Sequence, residues 1–316
     1  MAIQHDFPFD PTNGMTQDQL LAVRGPEEPA GFREFWEENY RLTMAMKPTW
    51  FIERELWSPE PGERIYRLRV KNWDNTEFGM WIARPEHSRG GLVVGQGYAH
   101  PNKPVCSKFG LTTAFACVRG LGLSQCKEIP WDLSKHVLHG IGSKETYILR
   151  GIITDEWMAA SVLLDMFPDT ADNLNYTGAS MGGGMGALLL PWDKRFKAAY
   201  LNVPTFGAEI RFKYLSKGSG DFCRLYLEEH PEAREVFAWF DASAAAKHIR
   251  IPVCVAPALF DPVVAPVGQF SVVNAIPEEF KTLFIRDVGH FPPTEHDKEL
   301  NGRIDEWCET VFNGKK

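Results

Sequence analysis

From Gly91 onward the sequence alternates short β-rich runs with longer stretches of helical character, and few folds can accommodate that rhythm. The runs are Leu92–Gly95, Ala114–Val118, Leu174–Gly178, Ala198–Val203, Val253–Ala258 and Leu283–Val288. Strands separated by helical stretches are parallel, because a parallel neighbour can be reached only by a crossover. Upstream, Ile65–Val70 and Phe78–Ala83 flank Asn72, Asp74 and Asn75, the pattern of an antiparallel hairpin. The sequence therefore predicts an α/β fold with a mostly parallel central sheet, entered by an N-terminal hairpin and covered by helices on both faces. Helices are expected over 31–46 and over 155–167, the latter beginning at Asp155 and Glu156 and stopping at Pro168. Residues 181–190 hold four glycines and would form a poor isolated helix. Residues 204–250 break the alternation and read as a helical insertion over the C-terminal edge of the sheet, where α/β folds bind ligands. Residues 1–316 are read as a single domain, with 204–250 over the active site.

Bulk chemistry excludes several functions. The net charge is −7 and no long basic run occurs, which argues against nucleic acid or an anionic membrane as partner. No apolar stretch is long enough to span a bilayer. The first residues, Met1 to Asp6, lack the charged and apolar regions of a secretory signal. Cys106, Cys117, Cys126, Cys223, Cys254 and Cys308 are widely spaced and read as free thiols, so a cytoplasmic location is expected. Aromatic residues make up 12% of the chain, ten of them Trp, which fits a large core or a surface that stacks on flat or sugar-like ligands. Core is the favoured reading.

The segment Gly178-Ala179-Ser180-Met181-Gly182 has the Gly-x-Ser-x-Gly pattern of a nucleophile elbow. In a chain with 27 glycines the pattern alone is modest evidence, and its context carries the argument. A strand is predicted to end at Thr177 and a helix to begin at Met181. A serine on such a turn is strained, and glycines on either side let strand and helix approach. The helix N-terminus would aim the Met181 N–H at a developing oxyanion. The alternative is a phosphate-binding or purely structural glycine turn, and no accompanying Lys or second glycine signature supports it.

A serine hydroxyl needs a histidine base, and the base needs a carboxylate to orient it. In α/β-hydrolases the order is Ser, acid, His, each just after a strand. Of nine histidines, His290 follows the last predicted strand, while His296 lies six residues on in a polar stretch. Asp261 follows the run 253–260 and is the expected acid. Asp287 is its rival, but it precedes His290 by three residues on the same strand run. Tyr98, in the loop Gly95-Gln96-Gly97-Tyr98-Ala99-His100, is the expected source of the second oxyanion N–H, with its ring along the acyl pocket. His136 and His139 lack acidic or Cys neighbours for a metal, and no cofactor motif is present.

With these residues in view, the chain resembles the acetyl xylan esterase and cephalosporin-C deacetylase group, carbohydrate esterase family seven. Phe32-Arg-Glu-Phe-Trp36 is similar to that family's N-terminal Phe-x-x-Phe-Trp segment. Gly97-Tyr98 matches its His-Gly-Tyr loop with Gln96 at the His position, and Arg119-Gly120-Leu121-Gly122 its Arg-Gly-Gln-Gly motif with Leu at the Gln position. Tyr147 to Gly151 resembles its Tyr-Arg-Gly segment, and the stretch from Phe240 to Asp261 the approach to its acid. Met181 stands for a Gln after the nucleophile, and Phe291 for a Glu after the histidine. The resemblance implies an α/β-hydrolase fold, a triad of Ser180, Asp261 and His290, removal of acetyl groups from small substrates, and homo-oligomers, as hexameric rings with inward-facing sites. The expectation is a serine esterase acting on small acyl esters of a sugar or other alcohol. A general carboxylesterase, a thioester or amide hydrolase, and an inactive binding module are the alternatives.

Overall fold

A computed structural model describes residues 3–98 and 106–314 of the chain. Eleven strands are described: β1 Thr49–Trp57, β2 Glu63–Lys71, β3 Glu77–Pro85, β4 Gly91–Gly95, β5 Thr112–Ala116, β6 Leu174–Ala179, β7 Phe196–Asn202, β8 Val253–Ala256, β9 Ala258–Phe260, β10 Lys281–Leu283 and β11 Arg286–Val288. Nine of them form one sheet in the order β1-β2-β3-β5-β4-β6-β7-β8-β10. The first three strands and the β3–β5 pair are antiparallel, and every pairing from β5 to β10 is parallel. This is the α/β-hydrolase arrangement, as expected. The entering hairpin is really a three-stranded meander, because Thr49–Trp57 adds β1 at the edge. That strand is largely exposed and carries no sustained apolar alternation, so the sequence pattern does not announce it.

The short central strands are buried on both faces, which is why they read as continuous apolar runs. Leu92 and Val93, successive in β4, enter different clusters on opposite sides of the sheet. Against one face pack the helices Phe32–Ala45, Ile148–Met166 and Met181–Leu189. Trp36 anchors that layer, edge-on to Trp157 at 6.2 Å and to Phe240 at 5.5 Å, with its indole N–H donating to the Trp239 carbonyl at 3.1 Å. Against the other face lies the helix Glu295–Phe312, through Leu300, Ile304, Cys308 and Phe312.

Two boundaries differ from expectation. The run 253–260 is cut at Pro257 into β8 and β9, and 283–288 yields β11 and the end of β10, so that β9 and β11 pair separately beyond the main sheet. Proline has no N–H for a continuous ladder. The helix expected at 155 begins at Ile148, seven residues earlier. Asp155 and Glu156 are therefore not N-terminal acids but buried mid-helix residues. Arg119 grips Asp155 through Nε and NH2 at 2.7 and 2.6 Å, a partner that stands 36 residues upstream. Burial, with Asp155 beside it, lifts the Glu156 carboxyl well above the ordinary carboxylate range. Residues 204–250 are a string of short helices, the longest Ser219–Glu229. Among the described residues no helix is long and apolar enough to cross a membrane.

Candidate functional site

Ser180 occupies the turn between β6 and the helix Met181–Leu189, with φ 57° and ψ −119°. A β-carbon on a residue with positive φ is crowded, and such a conformation persists only where its surroundings hold it. Here β7 does so: the Ser180 N–H donates to the Asn202 carbonyl at 2.9 Å, and the Ser180 carbonyl accepts from Thr205 N–H at 3.2 Å. The flanking glycines are needed for space. A β-carbon at Gly178 would run into the backbone of Gly182, and one at Gly182 into the Gly95 carbonyl. The same closeness explains the glycine-rich helix. Gly184 and Gly186 face Thr205 and Tyr176 at distances no side chain tolerates, so packing compensates for low propensity. The Tyr176 hydroxyl donates to the Gly182 carbonyl at 2.7 Å and pins the first helical turn. Met181, at the first helical position, has no helical partner for its N–H.

Asp261 follows β9 and His290 follows β11, two paired strands. Their side chains meet, with His290 Nδ1 to Asp261 Oδ2 at 2.8 Å. The Asp261 side chain is fully buried, whereas His290 remains about a quarter exposed. Every position around the carboxylate is used. Oδ1 accepts from the N–H groups of Val263 and Val264 at 2.8 and 2.9 Å, and Oδ2 also accepts from Gln269 Nε2 at 2.9 Å. Gly289 is glycine because a β-carbon there would collide with that same oxygen. His290 has φ 48°, a second strained residue beside the strained serine. Asp287, the rival acid, is engaged elsewhere. Its Oδ2 accepts from Thr294 Oγ1 at 2.8 Å, at the cap of the C-terminal helix. His296 is exposed.

The structure thus joins Asp261 to His290 directly. Among the described residues no hydrogen bond links Ser180 Oγ to His290; their neighbourhoods meet through Ala179 and Asn202, which border one hollow together with Gly289, His290 and Phe291. Ala179 and Asn202 also border a second hollow with Gly95, Gln96 and Gly97. Tyr98 ends that described stretch, and Ala99 and His100 of the same loop lie outside the described residues. The Tyr98 ring stands edge-on to His136 at 5.5 Å, and its hydroxyl is buried with no partner among the described residues. Burial pushes this phenol well up, and pushes the neighbouring Cys223 thiol up to about 12. Cys223 belongs to a small, mostly apolar cavity of about 30 Å³. Its walls include Thr205 and Phe206 from the exit of β7, Val264 and Ala265 from the acid loop, and Tyr147.

Sequence reasoning missed three supports. Gln269 is fully buried and bridges Asp261 Oδ2, the Val264 carbonyl and the Ala258 N–H. An amide between apolar neighbours in the helix Pro266–Ala275 was the available signal, since buried polar groups find partners. The N-terminal segment is the second: the Asp261 N–H donates to the Pro11 carbonyl at 3.1 Å, and Phe7 packs on Phe291 at 5.9 Å. The β7 exit is the third, with Val203 and Phe206 both at positive φ.

The chain matches the family model "Acetyl xylan esterase (AXE1)" over residues 13–301. Among solved structures it is similar to acetyl xylan esterase 1 from Thermoanaerobacterium sp. JW/SL YS485, at a TM-score of 0.81 and 20% identity, over 95% of this chain and 99% of that one. It is similar also to an acetyl xylan esterase from Paenibacillus sp. R4, at 0.79 and 18% identity, over 93% and 99%. The Pyrococcus horikoshii acylaminoacyl peptidase shares the fold more distantly, at 0.54 and 13% identity, over 79% and 48%. At these identities the structural likenesses speak for the fold, and the family match for the chemistry. The chain belongs to the acetyl xylan esterase family and is a carboxylic-ester hydrolase of the α/β-hydrolase fold.

Proposed function

We propose that this esterase hydrolyses small acyl esters, above all acetyl esters, of a sugar or another alcohol, with Ser180, His290 and Asp261 as its catalytic triad. The observation that carries this reading is the Asp261–His290 bond at 2.8 Å between a fully saturated carboxylate and an imidazole left partly open to solvent. With Nδ1 engaged by Asp261, Nε2 is the free base. In the bound state Ser180 Oγ attacks the acyl carbon while His290 takes its proton, and the imidazolium is stabilised by Asp261. The N–H groups of Met181 and Tyr98 receive the oxyanion. His290 then returns the proton to the departing alcohol oxygen, leaving an acyl-Ser180 ester. Water, deprotonated by His290, attacks that ester and releases the acid and free Ser180. A serine–histidine bond that tightens only once substrate is in place is common among hydrolases.

The preference for short acyl groups is supported by the 30 Å³ cavity, which has room for about two water-sized groups. The sugar alcohol is supported by the substrate named for the two bacterial relatives. The test is Ser180→Ala with a serine-directed organophosphate. The substitution is expected to lower kcat on a chromogenic acetyl ester by several orders of magnitude with the fold intact, and the reagent to label Ser180. Labelling at another serine, or activity that survives the substitution, would overturn the mechanism.

A further inference from the structure

Two of the segments singled out in the sequence hold none of the reacting groups: Arg119 to Gly122 and Tyr147 to Gly151. In the fold they meet. Arg119, Tyr147, Arg150 and Gly151 wall a single cavity of about 610 Å³, closed on its third side by the β2–β3 turn with Trp73. Gly151 has no room for a side chain, because a β-carbon would strike the Arg119 guanidinium. Such a volume falls among those of small-molecule sites, roughly 300–1,000 Å³, and far exceeds a packing defect.

The lining narrows the ligand. Arg119 is neutralised by Asp155 and Asp74, at 2.6 Å each. Arg69 is met by Glu53 at 3.0 Å. Arg150 has no ion pair among the described residues: its Nε donates to Asn39 Oδ1 at 2.6 Å and its NH1 to the Glu145 carbonyl at 2.8 Å. Its guanidinium lies over the Trp73 ring at 5.0 Å. The Trp73 indole N–H is buried and has no partner among the described residues. Glu77 and Glu128 stand exposed at the rim. A phosphate would require converging cations, and here acids offset them. An apolar ligand would strand these polar groups. Fixed donors and acceptors of nearly balanced charge around an indole suit a ligand dense in hydroxyls with apolar C–H faces. Tyr147 also walls the small cavity beside Thr205 and Val264, so one side chain separates the two spaces.

We propose that this cavity binds a neutral oligosaccharide, outside the hydrolytic centre and next to it. The choice of ligand class rests on the sugar-ester reading given above, and the test keeps the two apart because it uses a glycan with no ester. Calorimetric titration of the full chain with xylotetraose is expected to show saturable binding, weakened tenfold or more by Trp73→Ala. The same variant should turn over 4-nitrophenyl acetate within twofold of the parent, and show a raised KM with unchanged kcat on an acetylated oligosaccharide. Should Trp73→Ala lose its fold, Glu77→Ala and Glu128→Ala at the exposed rim carry the binding expectation. No saturable binding by the parent, binding unmoved by these substitutions, or tighter binding of a uronic-acid tetramer would each overturn the proposal. Failure to hydrolyse any acetyl ester would instead defeat the catalytic reading and leave the isotherm standing.

Discussion

Gln269 offers the sharpest test of how the acid is held. Replacing it with Leu keeps the volume close and removes three hydrogen bonds at once, to Asp261 Oδ2, to the Val264 carbonyl and from the Ala258 N–H, at 2.9, 2.7 and 2.8 Å. Ala258 and Val264 are buried, so their backbone groups cannot turn to water. Each stranded group costs about 1–3 kcal/mol, and Gln269→Leu should lose about 2–6 kcal/mol of stability in urea unfolding. The activity effect arises separately. Oδ2 is the oxygen that holds His290, and without the amide the carboxylate keeps only the imidazole on that oxygen and the Val263 and Val264 N–H groups on the other. A misplacement near 1 Å costs about a hundredfold in rate, so kcat/KM on an acetyl ester should fall by about 10- to 100-fold. Gln269→Glu supplies the control. A protonated carboxyl there can still donate one bond, as the amide does, whereas an ionised one sets a second negative charge against Asp261. The ratio of variant to parent kcat/KM should therefore be highest at low pH and fall as pH rises and the introduced acid loses its proton. A flat ratio, with both variants within twofold of the parent, would show that Gln269 only fills space.

Other expectations follow from the same geometry. Gly289→Ala puts a methyl into the Asp261 carboxylate, with Val203 Cγ1 at 2.9 Å on its other side, so kcat should drop by about a hundredfold or more while urea unfolding shifts by about 1–3 kcal/mol. Wild-type-like kinetics would mean that the loop yields freely. Activity should fall steeply from acetyl to butyryl esters, and Tyr98→Ala, which keeps the backbone N–H, should relax that limit; a parent profile peaking at butyryl or longer would favour a general carboxylesterase. Phe7→Ala, which removes a ring stacked between Phe9 and the Phe260–Phe291 pair, should lower kcat more than it changes KM; a change in stability alone would make the N-terminal segment a passive cover.

What the sequence made legible were features with local causes. The turn at Ser180 needs glycine at 178 and 182 because strand, helix and β4 crowd together there, and that demand is written within five residues. Asp261 and His290 could be picked out by the β-rich runs that precede them, whose ends are the paired strands β9 and β11. The distant supports were another matter. Pro11 meets Asp261 from 250 positions away, and nothing in His5 to Pro11 marks it as a strap over an acid. The true start of the long helix is hidden for the same reason. Two acids look like a helix N-terminus unless one knows that Arg119, 36 residues upstream, meets Asp155 in the interior.

The departures from the family pattern are best understood as packing. Met181 and Leu121, each where the family carries Gln, are 2% exposed and lie in the same apolar cluster. A glutamine at either position would need partners for its amide, and partners are scarce where both neighbourhoods are apolar. Phe291, in place of Glu, closes a ring of contacts with Phe260 at 5.2 Å and Phe7 at 5.9 Å. An acid at that position would sit among these rings, and Lys217 lies over Phe7 at 4.2 Å. In this chain the residue after His290 therefore packs on the N-terminal segment, which also meets the Asp261 N–H through the Pro11 carbonyl. Among the described residues Gln269 is the one side-chain amide that reaches Asp261, on Oδ2, while the Val263 and Val264 N–H groups hold Oδ1.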